Sequence, residues 1–285
     1  MNRISFCQTL LAAPWALAAA GRPRLKSAIC AYSYRTALEK RTLAYEDLIR
    51  LAVENEIDGL DLTVYWFPTV ENSFLLPLKR LAYRQGVEIY SISVRTNMCQ
   101  PTAELRDKEL AEVRKWVDVA ATLGAGHIRV FGGNVPKTST EDEAAKWVVD
   151  ILGRGAEYAG SRGVILGLEK HGGITAKASR IVDILKRVNS PWAQVNLDTG
   201  NFDEDAYEQI AEILPYTANV QFKTEIRVEK GRRVESDWDR LTKMLVDGGY
   251  RGYMALEYEG KDDALTAMPP LLKKLNGLAR KYSAG

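Results

Sequence analysis

From residue 27 onward, short apolar runs rich in β-branched residues alternate with longer stretches in which apolar side chains recur every three to four positions. The runs cover 27–34, 59–65, 87–94, 127–131, 164–169, 193–197, 218–223 and 252–258. Their starts fall about 32 residues apart, the length of one strand-helix-strand step. Between the third and fourth runs, Leu105, Leu110, Val113, Trp116, Val117, Ala120 and Leu123 fall on one stripe with charges between them, the pattern of an amphipathic helix. Gly124, Gly163 and Gly248 stand where helix C-caps are expected. Eight such strands, each followed by a helix, predict an α/β protein that is a single (β/α)8 TIM barrel over residues 21–285. No glycine fingerprint of the dinucleotide or P-loop kind follows a strand, which argues against an open doubly wound sheet. No linker or break in composition marks a second domain.

The first twenty residues depart from this pattern. Arg3 is their only charge, and residues 4–20 are almost wholly apolar or small, ending in Ala18-Ala19-Ala20. This reads as a signal peptide over 1–20 and predicts an exported protein, periplasmic or extracellular, without stable membrane insertion after cleavage. Asn2-Arg3-Ile4-Ser5-Phe6 looks like a twin-arginine signal with one arginine missing, so the export route stays open. An uncleaved anchor and a buried helix are the other readings of the segment. Cleavage would remove Cys7 and leave Cys30 and Cys99, too few for a disulfide framework, so both are expected as buried thiols.

Composition narrows the chemistry. With 39 Lys+Arg against 37 Asp+Glu and no basic block, the chain lacks an electrostatic footprint for nucleic acid. The only histidines are His127 and His171, so a zinc site of three imidazoles is ruled out and any metal must lean on oxygen ligands. Association into a homo-oligomer is left open.

In such a barrel the chemistry sits where strands end. The run at 164–169 ends in Glu169, followed by Lys170 and His171; the run at 193–197 is followed by Asp198 and, three residues on, Asn201. The run at 218–223 carries Gln221 and Lys223 on one face, and the last ends in Glu257, Tyr258 and Glu259. Three carboxylates converging in a mouth of low dielectric repel unless a cation neutralises them, and a divalent ion is the simplest such cation. Three carboxylates and an amide carbonyl are oxygen donors throughout, which suits one ion of Mn or Mg. Pairing of the acids with Arg129, Arg227 or Lys223 is the other way to neutralise them.

These residues resemble the xylose-isomerase-like TIM barrels, a family of sugar isomerases and epimerases that includes ketose 3-epimerases and inosose-processing enzymes. Gly167-Leu168-Glu169-Lys170-His171 is similar to the family's LE-x-H, Asp198-Thr199-Gly200-Asn201 to its D-x-G-H, and Val220-Gln221-Phe222-Lys223 to its V-H-L-K. Asp237-Trp238, the turn Gly249-Tyr250-Arg251-Gly252 and Leu256-Glu257 resemble the closing part of the pattern. The resemblance implies Glu169, Asp198, Gln221 and Glu257 as metal ligands. It also implies Glu169 and Glu257 as an acid-base pair acting through an enediolate on a ketose or related polyol ketone. Arg227 takes the place of a substrate-contacting arginine, and Lys223, His171 and Asn201 stand as further substrate-binding candidates. Two departures remove titrating groups: Gln221 and Asn201 stand where the family has histidines.

Besides the carbohydrate isomerase or epimerase, two other functions are open. One is a metal-dependent lyase or hydratase on keto-glycosides, since the same deprotonation can expel a leaving group. The other is a non-catalytic exported sugar binder. The family's DNA-repair endonuclease branch needs histidines that this chain lacks. The aromatics Tyr32, Tyr34, Tyr65, Trp66 and Phe67 form either a wall for a sugar face or packing at the barrel top.

Overall fold

The computed structural model describes residues 24–283. The candidate signal peptide lies outside the described residues. Eight parallel strands close into a barrel: β1 (Leu25–Cys30), β2 (Gly59–Thr63), β3 (Glu88–Ser93), β4 (His127–Phe131), β5 (Ile165–Glu169), β6 (Ala193–Asp198), β7 (Thr217–Lys223) and, after an antiparallel hairpin of β8 (Glu225–Glu229) and β9 (Arg232–Glu235), β10 (Gly252–Glu257). Closure is made by β1, which pairs with β2 on one side and β10 on the other. The major helices are α2 (Tyr45–Glu54), α3 (Asn72–Arg84), α4 (Ala103–Leu123), α5 (Glu141–Ser161), α6 (Ala178–Val188), α7 (Ala206–Ile213), α8 (Trp238–Asp247) and α9 (Ala264–Ser283), with a short α1 (Arg35–Glu39) after β1. The single barrel expected from the sequence is therefore present.

Alternation along each strand sorts side chains into two sets. One set, including Ile29, Leu60, Leu62, Ile92, Ile128, Val130, Leu166, Leu168 and Val220, belongs to the main hydrophobic core with the helices' apolar stripes. The other set is small or polar: Ala28, Cys30, Tyr90 and Ala255 form a separate apolar cluster, and Asp61, Ser93, Asn196, Asn219 and Gln221 are buried beside it. On α4, Leu110, Val113, Val117, Ala120 and Leu123 are buried as expected, whereas Leu105 lies near the helix start and is exposed.

Local chemistry sets the helix ends. Thr140 and Glu143 bond reciprocally as a capping box at the start of α5. Gly124 closes α4 in the left-handed conformation, φ 87°. Asp237 caps α8 by accepting from the Arg240 N–H, and Trp238 packs edge-on against Phe222, so the Asp-Trp pair noted in the sequence is structural.

Candidate active site

Glu169, Asp198, Gln221, Lys223 and Glu257 reach one rim because each lies at or near the carboxyl end of its strand, in β5, β6, β7 and β10. All are buried, with Glu169 2% and Glu257 6% exposed. Glu169, Gln221, Lys223 and Glu257 line a pocket of about 170 Å³ whose lining also includes Tyr32, Tyr65, Arg129, Phe131, His171 and Asn201; Asp198 is buried outside that lining.

The acids are held by two buried cations. The Lys223 ammonium lies 2.8 Å from Glu257, 3.3 Å from Asp198 and 2.5 Å from Glu259. Arg129 Nε lies 2.9 Å from Glu169, and another of its nitrogens donates to Tyr65 Oη. Asn201 Nδ2 donates to both Glu169 Oε1 and Asp198 Oδ2, at 2.9 and 2.8 Å, and so ties the two carboxylates together. Burial pushes Asp198 up to about 7 against the pull of Lys223. Burial also raises Glu169, opposed chiefly by Arg129. For Glu257 burial acts in the same direction, but the charge and hydrogen bond of Lys223 outweigh it with help from Arg129 and Cys30, and its carboxyl sits below the usual range.

Beneath the pocket runs a directed chain of amides. Tyr90 Oη donates to Asn219, Asn219 Nδ2 to Asn196, Asn196 Nδ2 to Gln221 Oε1 at 2.8 Å, and Gln221 Nε2 to Asp61 Oδ2 at 3.1 Å. The buried Asp61 carboxylate accepts only, so it fixes the orientation of every amide above it. Ser93 donates to its other oxygen. Cys30 Sγ lies 3.4 Å from Glu257 Oε2 as a donor.

The other candidates divide between the pocket and its surroundings. His171 lines the pocket with its ring 4.1 Å from that of Phe131. Arg227 lines a neighbouring groove instead and donates to the Phe202 carbonyl. Of the aromatics, Tyr32 and Tyr65 line the pocket and Trp66 stacks on Tyr32. Tyr34 is buried in the core, and Phe67 packs on Tyr45 and Phe74. Cys30 and Cys99 are buried free thiols, as expected.

Sequence reasoning missed Asp61, Asn196 and Lys170. Asp61 had a signal, a lone acid inside the apolar run of β2. Lys170 is fully buried, bonds to the Asn201 carbonyl and lies 3.6 Å from Asp203, and so holds the loop that carries Asn201.

The donors at this rim suit a hard divalent ion: Glu169, Asp198 and Glu257 offer carboxylate oxygens, and Gln221 an amide oxygen with a second lone pair beyond its bond to Asn196. As the side chains stand, no group of three or more His, Cys, Asp or Glu among the described residues is spaced to hold a metal. The place shared by Asp198 and Glu257 is taken by the Lys223 ammonium. The donor types therefore fit, and Lys223 is what an ion would displace.

A family profile described as xylose isomerase-like TIM barrel matches residues 49–278. Among solved structures, D-psicose 3-epimerase from Clostridium cellulolyticum H10 superposes with a TM-score of 0.72 at 18% identity, over 91% of this chain and 98% of its own. The IolI protein with a bound zinc atom gives 0.71 at 15%, over 91% and 96%. The probable 3-DHS dehydratase AsbF from Bacillus anthracis gives 0.65 at 16%, over 89% and 98%. None of the curated proteins matches the chain.

Proposed function

Because the chain belongs to the xylose isomerase-like TIM barrel family, we propose that it is a carbohydrate isomerase or epimerase, moving a proton at the carbon beside the carbonyl of a ketose or related polyol ketone. One observation carries the reading: two buried glutamates, Glu169 and Glu257, come from strands three places apart around the ring and line one pocket, each beside its own cation.

Proton transfer needs a base, a group that returns the proton and a partner for the oxygen that becomes negative. Lys223 holds Glu257 as the ionised carboxylate and so equips it as the base. The C–H proton passes to Glu257, the C–H bonding pair forms a double bond to the carbonyl carbon, and the carbonyl π pair moves onto its oxygen, giving an enediolate. Glu169, lining the same pocket and carrying a proton at the start of the step, delivers it to the opposite face of that carbon or to the neighbouring position and ends as the carboxylate that acts as base in the reverse reaction. Arg129 and the Asn201 amide orient Glu169, while His171 and Tyr65 are placed to contact hydroxyls. A divalent ion, Mn or Mg by its donors, would be held by Glu169, Asp198, Gln221 and Glu257 and would supply Lewis-acid polarisation of the carbonyl.

The test is incubation of the purified protein, with and without Mn²⁺, with a panel of ketoses and inososes, followed by chromatography of the products. Appearance of an epimer or aldose supports the reading. No conversion across the panel under either condition contradicts it. We also keep the export reading of residues 1–20, which N-terminal sequencing of the secreted protein checks by a start at Gly21.

A further inference from the structure

Beside the pocket at the rim lies a larger hollow of about 690 Å³. Asn201, Lys223 and Glu259 line both, so the two spaces adjoin across the Lys223–Glu259 ion pair. The inner pocket, at about 170 Å³, is smaller than the roughly 300–1,000 Å³ of sites that enclose a small ligand. Together with the groove it reaches that size. Glu259 is 44% exposed at its side chain, so its contact with Lys223 can open at little cost.

The groove has a built wall. The β8–β9 hairpin is an addition to the eight-stranded barrel, and it contributes Arg227 and Arg233 to the lining, which also includes Tyr258, Lys261 and Lys274. Three of its five cations are ion-paired: Arg233 lies 3.5 Å from Glu225, Lys274 3.9 Å from Glu235, and Lys223 faces Glu259. With five cations against four acids in its lining, the groove offers donors and acceptors of both signs, which suits hydroxyl groups; a phosphate or carboxylate needs a concentrated positive site.

We infer that the substrate is a ketose carrying a second sugar unit in glycosidic linkage, with the ketose in the inner pocket and the second unit in the groove against the hairpin. The inference rests on the proton-transfer reading above.

The test uses the full chain and matched probes: fructose, and the glucosyl-fructoses turanose, maltulose, leucrose and palatinose, which place the glucose on four different hydroxyls. Binding is measured by calorimetry, and deuterium uptake from D2O at the carbon beside the carbonyl by NMR. Both are done for wild type and for Arg233→Ala with Lys261→Ala, two exposed positions whose change leaves the inner pocket intact. At least one disaccharide is expected to bind about tenfold more tightly than fructose, a difference that the double variant reduces to about twofold while fructose binding stays unchanged. If fructose exchanges its proton and binds as well as every disaccharide, or if the double variant leaves the disaccharide advantage intact, the groove is not a sugar subsite and the proton-transfer reading stands. If no probe binds or exchanges, both fall together.

Discussion

Around the Lys223 ammonium the structure gathers Asp198, Glu257 and Glu259, and around Arg129 it sets Glu169 and Tyr65. The divalent ion inferred from converging carboxylates and the cations found in the chain solve the same electrostatic problem, and they compete for the same oxygens. Replacing Lys223 by Met leaves two buried carboxylates uncompensated, which costs about 3–5 kcal/mol when no metal is present. The Lys223→Met protein is therefore expected to melt lower than wild type without metal and to gain more from added Mn²⁺. Thermal unfolding with and without Mn²⁺ checks this, and an equal gain in the two proteins would show that the ammonium and the ion do not share a place. Glu169→Gln and Glu257→Gln keep the shape and remove the proton acceptors. Each is expected to lower turnover by about 10²–10⁴-fold with the fold retained by circular dichroism.

At the level of elements, β5 shows how an inner position constrains a strand. A Cβ on Gly167 would lie 2.2 Å from His127 Nε2 and 3.1 Å from Asn196 Cβ, so the glycine is there to admit the imidazole and the amide chain. Gly167→Ala is expected to cost about 1–3 kcal/mol by overpacking, measured by urea unfolding, and to disturb Asn196 and with it Gln221. Neighbouring elements also show what the sequence made legible. The strand ends were readable because the apolar runs finish in polar residues, and Glu169, Asp198, Gln221 and Glu257 could be placed at one rim from their positions at those ends. The hairpin at 225–235 was not, although Glu225, Arg227 and Glu229 alternate with Ile226 and Val228 and Gly231 turns at φ 76°. Its short, half-polar strands lack the apolar content that announces a buried strand. Asp61 and Asn196 were hidden for the opposite reason: each is one polar residue in a run read as packing, and its role depends on partners from other strands.

On the scale of the whole molecule, near-balanced charge and a core of aliphatic strand faces under helical stripes describe a barrel whose stability follows from burial. No helix among the described residues is long and apolar enough to cross a membrane. Burial also ties stability to pH through His127, which bonds Ser91 through Nδ1, has no partner at Nε2 and is pushed down to about 3 by desolvation and then by Arg129. The folded protein thus keeps this imidazole neutral where the unfolded chain, near 6.5, protonates it. Its contribution is complete above about pH 6.5 and is lost as the pH falls toward 3, by up to about 1.4 kcal/mol per pH unit. Wild type is expected to lose stability faster than His127→Gln across that window; parallel curves from urea unfolding at several pH values would refute the assignment.

The proposed activity is proton transfer by Glu169 and Glu257 at the carbon beside a sugar carbonyl. Its most direct measurement is NMR of that C–H bond in D2O with a ketose the wild-type protein binds, for wild type and the two glutamine variants. The expected result is exchange of that one proton by wild type, slowed at least about 10²-fold in Glu257→Gln and in Glu169→Gln. Binding without exchange in wild type, or exchange that neither substitution slows, would contradict it.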